Sequence, residues 1–204
     1  MPDARRYAAA TQRNREPLLA VLARHVRPGD GVLEIASGSG EHAVYFAAHL
    51  PVSRWQPTDA DPEARASIDA WAAVTPVVTL APALPLDVCQ RAWPVEAADV
   101  VLAVNMIHIA PWEATMALFA GAAELSPRVV VLYGPYRRGG AHTAPSNEEF
   151  DQWLHARDYR WGVRDLEAVE AEAAKHGFHL VEIVEMPANN LTVVFERGNS
   201  GHSG

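Results

Sequence analysis

The stretch Gly31–Gly40, with the sequence GVLEIASGSG, constrains the fold more than any other part of the chain. An apolar strand pattern runs directly into a glycine-rich turn, and a helical pattern follows from Glu41 to Leu50. Gly38 and Gly40 have no Cβ, so the backbone can turn sharply there and its amides can approach a ligand closely. A strand, loop and helix in this order are typical of a site for a nucleotide-like cofactor.

Glu34 is the unusual residue of this strand. A carboxylate in a buried parallel strand costs several kcal/mol when it is unpaired, or it becomes protonated instead. We therefore expect a cationic or hydrogen-bonding partner for Glu34 near the loop.

Composition limits the classes of function. The chain has 204 residues, 49% of them hydrophobic, which predicts a single domain over residues 1–197, while residues 198–204 (GNSGHSG) are predicted to form a disordered tail. A net charge of -8 argues against nucleic acid or a membrane surface as partner and favours a small or neutral one. Cys89 is the one cysteine, and no apolar run approaches the roughly 20 residues of a membrane span, so we expect a cytoplasmic protein. The oligomeric state stays open.

Strand-like and helix-like patterns alternate along the chain, which predicts an α/β fold with helices on both faces of a mostly parallel sheet. The predicted strands are Val32–Ile35, Ser53–Pro57, Val77–Leu80, Asp99–Val104, Arg128–Tyr133, Phe178–Glu185 and Leu191–Glu196. Helices are predicted around Arg15–His25, over Glu41–Leu50 and Pro62–Trp71, from Glu148 with Asn147 as its cap, and from an Asp165 cap to His176. Gly134–Asn147 is predicted to be a long loop. Because only five residues separate the last two strands, these should form an antiparallel hairpin.

The glycine loop fits a dinucleotide site. Residues Gly38 to Ala43 satisfy G-x-G-x-x-G/A, and Asp59 follows near the offset of about 20 residues expected of a ribose-binding acid. This pattern favours an NAD(P)-dependent oxidoreductase, but it leaves Glu34 unexplained. The sequence also shows no Ser/Tyr/Lys catalytic set, since Lys175 is the only lysine.

Read from Glu34, the same loop (EIASGSG) resembles the E-x-G-x-G-x-G motif of class I S-adenosylmethionine-dependent methyltransferases, with Ala36 in place of the first glycine. The resemblance implies a Rossmann-like, mostly parallel seven-stranded sheet that ends in an antiparallel hairpin. It also implies S-adenosylmethionine as cofactor, S-adenosylhomocysteine as product, and methyl transfer by direct in-line displacement. Glu34 would lie beneath the methionine moiety and help to hold its ammonium, Asp59 would bind the ribose hydroxyls, and Asp87 would meet the adenine amino group. Asn105, which opens the segment NMIHI, would lie beside the sulfonium.

Motifs outside the loop narrow the resemblance. They are Arg13–Pro17, Trp55–Asp59, Gly134–Tyr136, Ser146–Asn147, Phe150–Asp151, Trp161–Asp165 and Met186–Asn190. From about Arg5 to Arg197 the chain resembles domain-of-unknown-function family 938, a methyltransferase-like family whose animal members are called methyltransferase-like protein 26. The resemblance implies cofactor roles for Asn14, Ala36, Gly38 and Gly40, and an acceptor pocket formed by Tyr136, Trp161, Arg164 and Asn189. It says almost nothing about the acceptor, which we expect to be a small molecule.

Proton transfer depends on that acceptor. An acidic oxygen or a carboxylate needs no general base, whereas an amine or a hydroxyl makes His108, Tyr133 and Tyr136 the candidate catalytic groups. No metal site is predicted, because His42 and His49 lack the further ligands that zinc requires.

Several of these residues have structural alternatives. Glu34 could be an ion-paired core acid, Asp59 a turn cap, Asp87 a helix start and His108 a satisfied core histidine. Asp61 competes with Asp59 for the ribose, although its position before Pro62 suits a helix cap. Asn14, Tyr136, Trp161 and Arg164 could be loop and cap residues without a ligand, and Asn189 suits a tight hairpin connection. A non-catalytic S-adenosylmethionine-binding module is the third hypothesis, beside the methyltransferase and the oxidoreductase.

Overall fold

A computed structural model of the protein describes residues 3–198. Of the predicted tail 198–204, only Gly198 belongs to this range, and residues 199–204 lie outside the described residues. The assignment of residues 1–197 to one domain stays a prediction.

The helices and strands of residues 3–198 alternate over most of their length. The helices are α1 (Ala9–His25), α2 (Glu41–His49), α3 (Pro62–Val74), α4 (Trp112–Leu125), α5 (Pro145–Arg157) and α6 (Leu166–Lys175). The strands are β1 (Gly31–Ile35), β2 (Arg54–Asp59), β3 (Leu84–Pro85), β4 (Val100–Val104), β5 (Val129–Gly134), β6 (Tyr136–Arg138), β7 (Ala141–His142), β8 (Arg164–Asp165), β9 (Phe178–Met186) and β10 (Asn190–Arg197). A 3-10 turn, Pro187–Asn189, joins the last two strands.

Seven strands form the main sheet in the order β3-β2-β1-β4-β5-β10-β9. The first five run parallel, and β10 pairs antiparallel with both β5 and β9. The strand order reverses between β1 and β4, and in open α/β sheets this reversal opens a crevice at the carboxyl ends of the strands. The predicted fold class is therefore confirmed, including the terminal antiparallel hairpin.

Alternate residues of the strands supply the core on each face of the sheet. In β4, Val101 and Ala103 join the hydrophobic cluster that includes residues of α4 and α6. Val100 and Leu102 join the cluster that includes residues of α1 and α2. This alternation is the period of two that a β-strand imposes, and burial on both faces explains why β4 reads as an unbroken apolar run.

The third strand was predicted at the wrong place. Val77–Leu80 forms a turn in which the Leu80 amide donates to the carbonyl of Val77, and Leu80 contributes only an isolated bridge to Trp55. The edge strand is instead Leu84–Pro85, which pairs with Thr58 and Asp59 at the end of β2. So short a strand is defined by its partner and not by its own sequence pattern.

The loop predicted for Gly134–Asn147 is also a correction. It contains β6 and β7, which form a small sheet with β8 in the order β7-β6-β8. Helix α5 begins at Pro145, so Asn147 is not its cap but a buried residue inside its first turn. The Asn147 amide donates to Thr143 Oγ1 at 3.0 Å and to the Asn189 carbonyl at 2.9 Å, which ties α5 to the hairpin.

Other predicted helix starts and caps differ in detail. Helix α1 starts at Ala9, six residues before the predicted Arg15, because the Ala8 amide is anchored by Glu41 Oε2 at 2.6 Å. Asp165 stands at the cap position of α6, but its carboxylate accepts from the amide of Gly140 at 2.7 Å and does not cap the helix. Asp61 does cap α3 by accepting from the Glu63 amide at 2.9 Å, with Pro62 in the first turn.

Candidate functional site

The glycine loop turns through three residues with positive φ. Gly38 has φ 59° and Gly40 has φ 89°, and Ala36 adopts φ 53° although it carries a side chain. The left-handed region disfavours residues with a Cβ by about 1–2 kcal/mol. The position where the methyltransferase motif has its first glycine is therefore one at which the backbone favours glycine.

Gly40 has a second reason to be glycine. A Cβ at this position would lie 2.6 Å from the Cα of Ile68 in α3, whereas a Cβ on Gly38 would meet nothing closer than 4.0 Å. Gly40 thus allows α3 to pack against the start of α2, while Gly38 leaves open space above the loop.

Asp59 connects the end of β2 to this loop. Its Oδ2 accepts from the amide of Gly38 at 2.9 Å, and its Oδ1 accepts from the amide of Asp61 at 2.9 Å. Each carboxylate oxygen has two acceptor sites, so one on each oxygen is left for a ligand. The carboxylate is held at the carboxyl edge by the backbone, with a fork of acceptors suited to a pair of hydroxyls.

Glu34 has one partner within the sheet and one in the loop, where Ser37 Oγ donates to the Glu34 carbonyl at 3.3 Å. Its side chain is 1% exposed, and Oε2 accepts from the indole nitrogen of Trp55 at 2.8 Å. Burial raises the pKa of the Glu34 carboxyl to about 7, although hydrogen bonds from Trp55 and Ser37 act in the opposite direction. Burial thus favours the protonated form of this carboxyl group.

The adjoining strand ends bring further predicted residues to the same edge. Asn105 follows β4 with φ 57°, and its amide donates to the carbonyl of Tyr133 at 2.8 Å. Asp87 follows β3, is exposed, and accepts from the Cys89 amide at 3.0 Å, so the predicted alternative of a helix start is not what the structure shows. Asp87, Asp59, the glycine loop and Asn105 therefore stand at the ends of four strands that are adjacent in the sheet.

Beyond Asn105, a small cleft of about 40 Å³ continues along the edge. We call it the Tyr133 cleft; it is lined by Ala10, Arg13, Asn14, Asn105, Tyr133, Pro187, Ala188 and Asn190. Helix α1, two strand ends and the hairpin turn all contribute to it. The structure thus brings together three predicted site residues, Asn14, Asn105 and Tyr133.

A chain of polar side chains leads into this cleft. Burial lowers the pKa of His42 to about 4, so the ring is neutral at neutral pH. Its Nε2 lies 2.8 Å from Asn14 Oδ1, which can only accept, and therefore His42 Nε2 carries the proton. Asn14 in turn lines the cleft together with Tyr133, whose hydroxyl accepts from Asn190 Nδ2 at 3.2 Å.

His108 and Tyr136 are both 0% exposed, packed edge to face with ring centroids 5.3 Å apart. Neither ring nitrogen of His108 nor the Tyr136 hydroxyl has a hydrogen-bond partner within residues 3–198. Burial lowers the pKa of His108 to about 3 and raises that of Tyr136. At neutral pH both groups are therefore neutral, and the lowered pKa of His108 makes its imidazole a weak base in this buried state.

Arg164 and Trp161 lie next to this pair. The guanidinium of Arg164 donates through Nε to the carbonyl of Ile107 at 2.9 Å and through a terminal nitrogen to the carbonyl of Ala110. Trp161 precedes Gly162, whose amide donates to the carbonyl of His108 at 3.0 Å. Arg164, which the resemblance assigned to the acceptor pocket, thus uses these donors to hold the segment after β4 in place.

Asn189 lines a second cleft, about 230 Å³ in volume, which we call the hairpin cleft. Its lining comprises Arg138, Thr143, Glu185, Met186, Asn189, Asn190 and Leu191. Asn189 has φ 59° and donates to Ser146 Oγ at 3.0 Å, as suits a tight connection. Asn190 belongs to both clefts, so the two adjoin.

Sequence reasoning missed four residues of this edge as site residues. Arg13 and Asn190 occur within motifs that the sequence comparison used, yet neither was assigned a role. His42 was considered only as a metal ligand, and Trp55 only as part of a motif. The spacing of Asn14 and His42 on two successive helices held no signal, because their contact depends on how those helices pack.

None of the helices is long and apolar enough to cross a membrane within residues 3–198. In the same range, no three His, Cys, Asp or Glu side chains are grouped so that they could hold a metal ion.

Comparison with protein families gives one match over nearly the whole chain. The model described as "Protein of unknown function (DUF938)" matches residues 5–197. This range agrees with the resemblance drawn from the sequence motifs.

Solved structures of methyltransferases have the same fold. The S-adenosylmethionine-dependent methyltransferase SibL, in its apo form, gives a TM-score of 0.75 at 20% identity over 93% of this chain and 56% of that chain. An O-methyltransferase family protein from Burkholderia thailandensis gives 0.76 at 14% identity over 91% and 56%. Magnesium protoporphyrin IX methyltransferase from Synechocystis PCC 6803, with bound SAH, gives 0.69 at 13% identity over 90% and 82%. The chain thus spans little more than half the length of the first two, and identities this low show the fold alone.

Proposed function

The chain belongs to the DUF938 family, and from its fold and the carboxyl edge of its sheet we propose that it is a class I S-adenosylmethionine-dependent methyltransferase acting on a small molecule. The proposal depends chiefly on one observation. Asp87, Asp59, the glycine loop and Asn105 follow four neighbouring strands, and they flank the point where the strand order reverses. Asp87 and Asp59 would meet the adenine and the ribose at one end of an extended cofactor, and the glycine loop together with Asn105 would hold the sulfonium and the methionine moiety at the other end.

The residues present suit such a cofactor. Gly38 leaves room for close approach, and Asp59 keeps free acceptor sites on both carboxylate oxygens. Glu34 would hold the ammonium of the methionine moiety, Ala36 and Gly40 would shape the loop, and Asn14 would help to close the site. Asp87 would accept from the adenine amino group.

When bound, S-adenosylmethionine supplies a methyl group activated for transfer by a sulfonium. The protein's task is then to hold the acceptor in line with that methyl group and to exclude water. An acidic oxygen or a carboxylate would need no general base. For an amine or a hydroxyl we propose His108 as the group that takes the proton, because its ring is neutral at neutral pH and neither ring nitrogen has a hydrogen-bond partner within residues 3–198, whereas burial keeps Tyr133 and Tyr136 protonated. The lowered pKa of His108 makes it a weak base in this state, so this role requires that its pKa rise when the acceptor binds.

The acceptor itself would lie beyond Asn105, between the Tyr133 cleft and the hairpin cleft. Asn189 lines the hairpin cleft, and Tyr136, Trp161 and Arg164 would shape the wall behind it. We propose a cytoplasmic setting for this activity, in line with the chain's single cysteine.

Calorimetric titration of the purified protein with S-adenosylmethionine and S-adenosylhomocysteine tests the proposal, with NAD and NADP as controls. We expect saturable binding of the two sulfur compounds alone. Binding of the nicotinamide cofactors instead would favour the oxidoreductase. Binding of neither by folded protein would contradict both cofactor assignments. If the protein binds S-adenosylmethionine but has no acceptor cavity open beside the methyl group, a non-catalytic S-adenosylmethionine-binding module is favoured.

Asp59→Ala provides the residue-level test. We expect it to weaken S-adenosylhomocysteine binding at least tenfold, because it removes the acceptors for the ribose, while the protein stays folded. Asp61→Ala is the matched control, since this neighbouring acid caps α3 and points to the Glu63 amide. Unchanged affinity in Asp59→Ala would show that the ribose binds elsewhere.

A further inference from the structure

The Tyr133 cleft presents hydrogen-bond donors and one positive charge. Among the residues that line it, Arg13 is the only charged one, and Asn14, Asn105, Tyr133 and Asn190 are its polar neighbours. The adjoining hairpin cleft differs, because its Arg138 is accompanied by Glu185. The charge of the Tyr133 cleft is therefore unbalanced where that of the hairpin cleft is not.

The hydroxyl of Tyr133 is arranged as a donor to this cleft. It accepts from Asn190 Nδ2 at 3.2 Å, and Asn14 lines the same cleft. His42 fixes the Asn14 carboxamide through Oδ1, which leaves the Nδ2 group of Asn14 to face the tyrosine oxygen. With Asn190 donating, the proton of the Tyr133 hydroxyl has no acceptor among residues 3–198 and is left for a ligand.

Burial keeps that proton in place. Tyr133 is 2% exposed, and this burial raises its pKa. Asn14, Asn190 and Arg13 lower the pKa, but the effect of burial is larger. At neutral pH the group is a neutral phenol and donates. It is thus suited to bind an anion and not to take a proton.

Arg13 is exposed beside it and is not engaged by the protein. The ion pairs found among residues 3–198 do not include Arg13. The chain carries a net charge of -8, so acidic side chains are plentiful, yet no ion pair among residues 3–198 joins one of them to Arg13. A guanidinium and a phenol at the mouth of a cleft of about 40 Å³ match a group with two acceptor oxygens and one negative charge.

We propose that the Tyr133 cleft is a carboxylate-binding site, in which the guanidinium of Arg13 and the hydroxyl of Tyr133 hold a carboxylate of a bound small molecule. The inference rests on the proposed function, since the cleft begins at Asn105, where the sulfonium would lie. The carboxylate belongs either to the methionine moiety of the cofactor or to the methyl acceptor. In the second case the hairpin cleft, which shares Asn190, has room for the rest of the acceptor.

Calorimetry on the full chain tests this site with three probes. S-Adenosylhomocysteine carries the methionine carboxylate, 5′-methylthioadenosine lacks the whole amino-acid moiety, and sodium benzoate, titrated with and without S-adenosylhomocysteine, stands for an acceptor carboxylate. Benzamide is the neutral control for benzoate. The variants are Arg13→Gln and Tyr133→Phe, with Arg24→Gln as the matched control on the same helix.

A cofactor carboxylate in the cleft would make Arg13→Gln and Tyr133→Phe bind S-adenosylhomocysteine at least tenfold more weakly, with 5′-methylthioadenosine unaffected. An acceptor carboxylate would leave S-adenosylhomocysteine affinity unchanged and weaken benzoate at least fivefold, with no binding of benzamide. Either result supports the site and identifies the source of the carboxylate.

The inference is overturned if both variants bind S-adenosylhomocysteine as the wild type does and benzoate either fails to bind or binds all variants equally. Arg13→Gln keeps the test valid if Tyr133→Phe does not fold, because Arg13 is exposed and bonds to no other side chain among the described residues. Failure of the wild type to bind any adenosine compound would contradict the proposed function instead. The benzoate titration without that compound would still test the cleft.

Discussion

Two halves of the same sheet edge are built in different ways. The glycine-loop half, Ala36–Gly40 with Asp59, is held by main-chain amides, since Gly38 and Asp61 both donate to the Asp59 carboxylate. The Tyr133 cleft is held by side-chain carboxamides from segments far apart in the chain, as in the bond between Asn190 and Tyr133, 57 residues apart. The first half depends on backbone shape, and the second on which side chains meet after folding.

This difference predicts two kinds of sensitivity. In the glycine-loop half, a Cβ added to a glycine should lower the free energy of unfolding, because the backbone there is in the left-handed region. In the Tyr133 half, the free energy of unfolding should instead depend on side-chain volume and hydrogen bonding. The following substitutions test that division.

Gly40→Ala should have the largest effect. Its new methyl group would lie 2.6 Å from the Cα of Ile68, a backbone atom that cannot swing away, at φ 89°. Strain of about 1–2 kcal/mol and overpacking of about 1–3 kcal/mol together predict a loss of about 4 kcal/mol in the free energy of unfolding. Urea unfolding measures it.

Gly38→Ala is the matched control for Gly40→Ala. It has a similar backbone conformation but no atom closer than 4.0 Å, so only the strain of about 1 kcal/mol should appear. Equal losses in the two variants would mean that packing against α3 is not what requires Gly40.

Glu34→Gln tests the same half through pH. The pKa of Glu34 is raised from 4.5 to about 7 by burial, so the folded state binds this proton more tightly than the unfolded state does. Stability contributed by the proton is fully present below about pH 4.5 and is lost as pH rises to about 7. The change amounts to about 3 kcal/mol in the wild type.

In Glu34→Gln that dependence should be absent, because the neutral amide can still accept from Trp55 without titrating. We would measure urea unfolding of both proteins at several values between pH 5 and pH 8 and compare the slopes. Parallel slopes would contradict the raised pKa. The same variant should weaken S-adenosylmethionine binding if Glu34 holds the cofactor's ammonium.

Gly134→Ala transfers the Cβ test to the other half. Gly134 has φ 156°, and a Cβ there would lie 2.2 Å from Nε2 of His108, a side chain with no solvent to move into. We expect a loss of about 2 kcal/mol in unfolding free energy. In a His108→Ala background the same substitution should cost less than about 1 kcal/mol, because the obstructing ring is gone. An equal cost in both backgrounds would show that the backbone, and not the side chain, limits this position.

The sequence predicted the glycine-loop half because its information is local. Gly38, Gly40 and Asp59 lie within 22 positions along the chain, and each strand pattern stands beside its loop. The two-residue strand Leu84–Pro85 could not be found in this way. It exists only because the end of β2 offers hydrogen bonds to it, while the more strand-like Val77–Leu80 turns away.

The contacts of the Tyr133 half were harder to predict from the sequence, because they join segments that are far apart in the chain. Motifs indicated Asn14, Arg164 and Asn189 as residues of interest, but their partners are set by packing. Arg164 donates to the carbonyls of Ile107 and Ala110, which no spacing in the sequence could indicate. Glu34 has a partner in the loop, Ser37, as expected, but the sequence did not indicate the second partner of Glu34, which is Trp55 on the neighbouring strand.

Ala36→Gly should have the smallest effect, and it bears directly on the division between the two halves. Relief of the left-handed strain at φ 53° favours the variant by about 1–2 kcal/mol. The greater freedom of glycine in the unfolded chain opposes this by about 0.4–1 kcal/mol, and the Ala36 methyl group also loses its packing against the core. The net gain in unfolding free energy should therefore be at most about 1 kcal/mol.

Ser126→Gly is the matched control, because Ser126 has φ 56° at the end of α4 and lines neither the glycine loop nor the two clefts. Both variants should gain stability by a similar small amount in urea unfolding. Only Ala36→Gly should also strengthen binding of S-adenosylmethionine, since only there does the methyl group crowd the loop proposed to hold the cofactor. Equal affinities of wild type and Ala36→Gly would mean that the alanine is accommodated without cost to the ligand, and that the shape of this loop tolerates one Cβ after all.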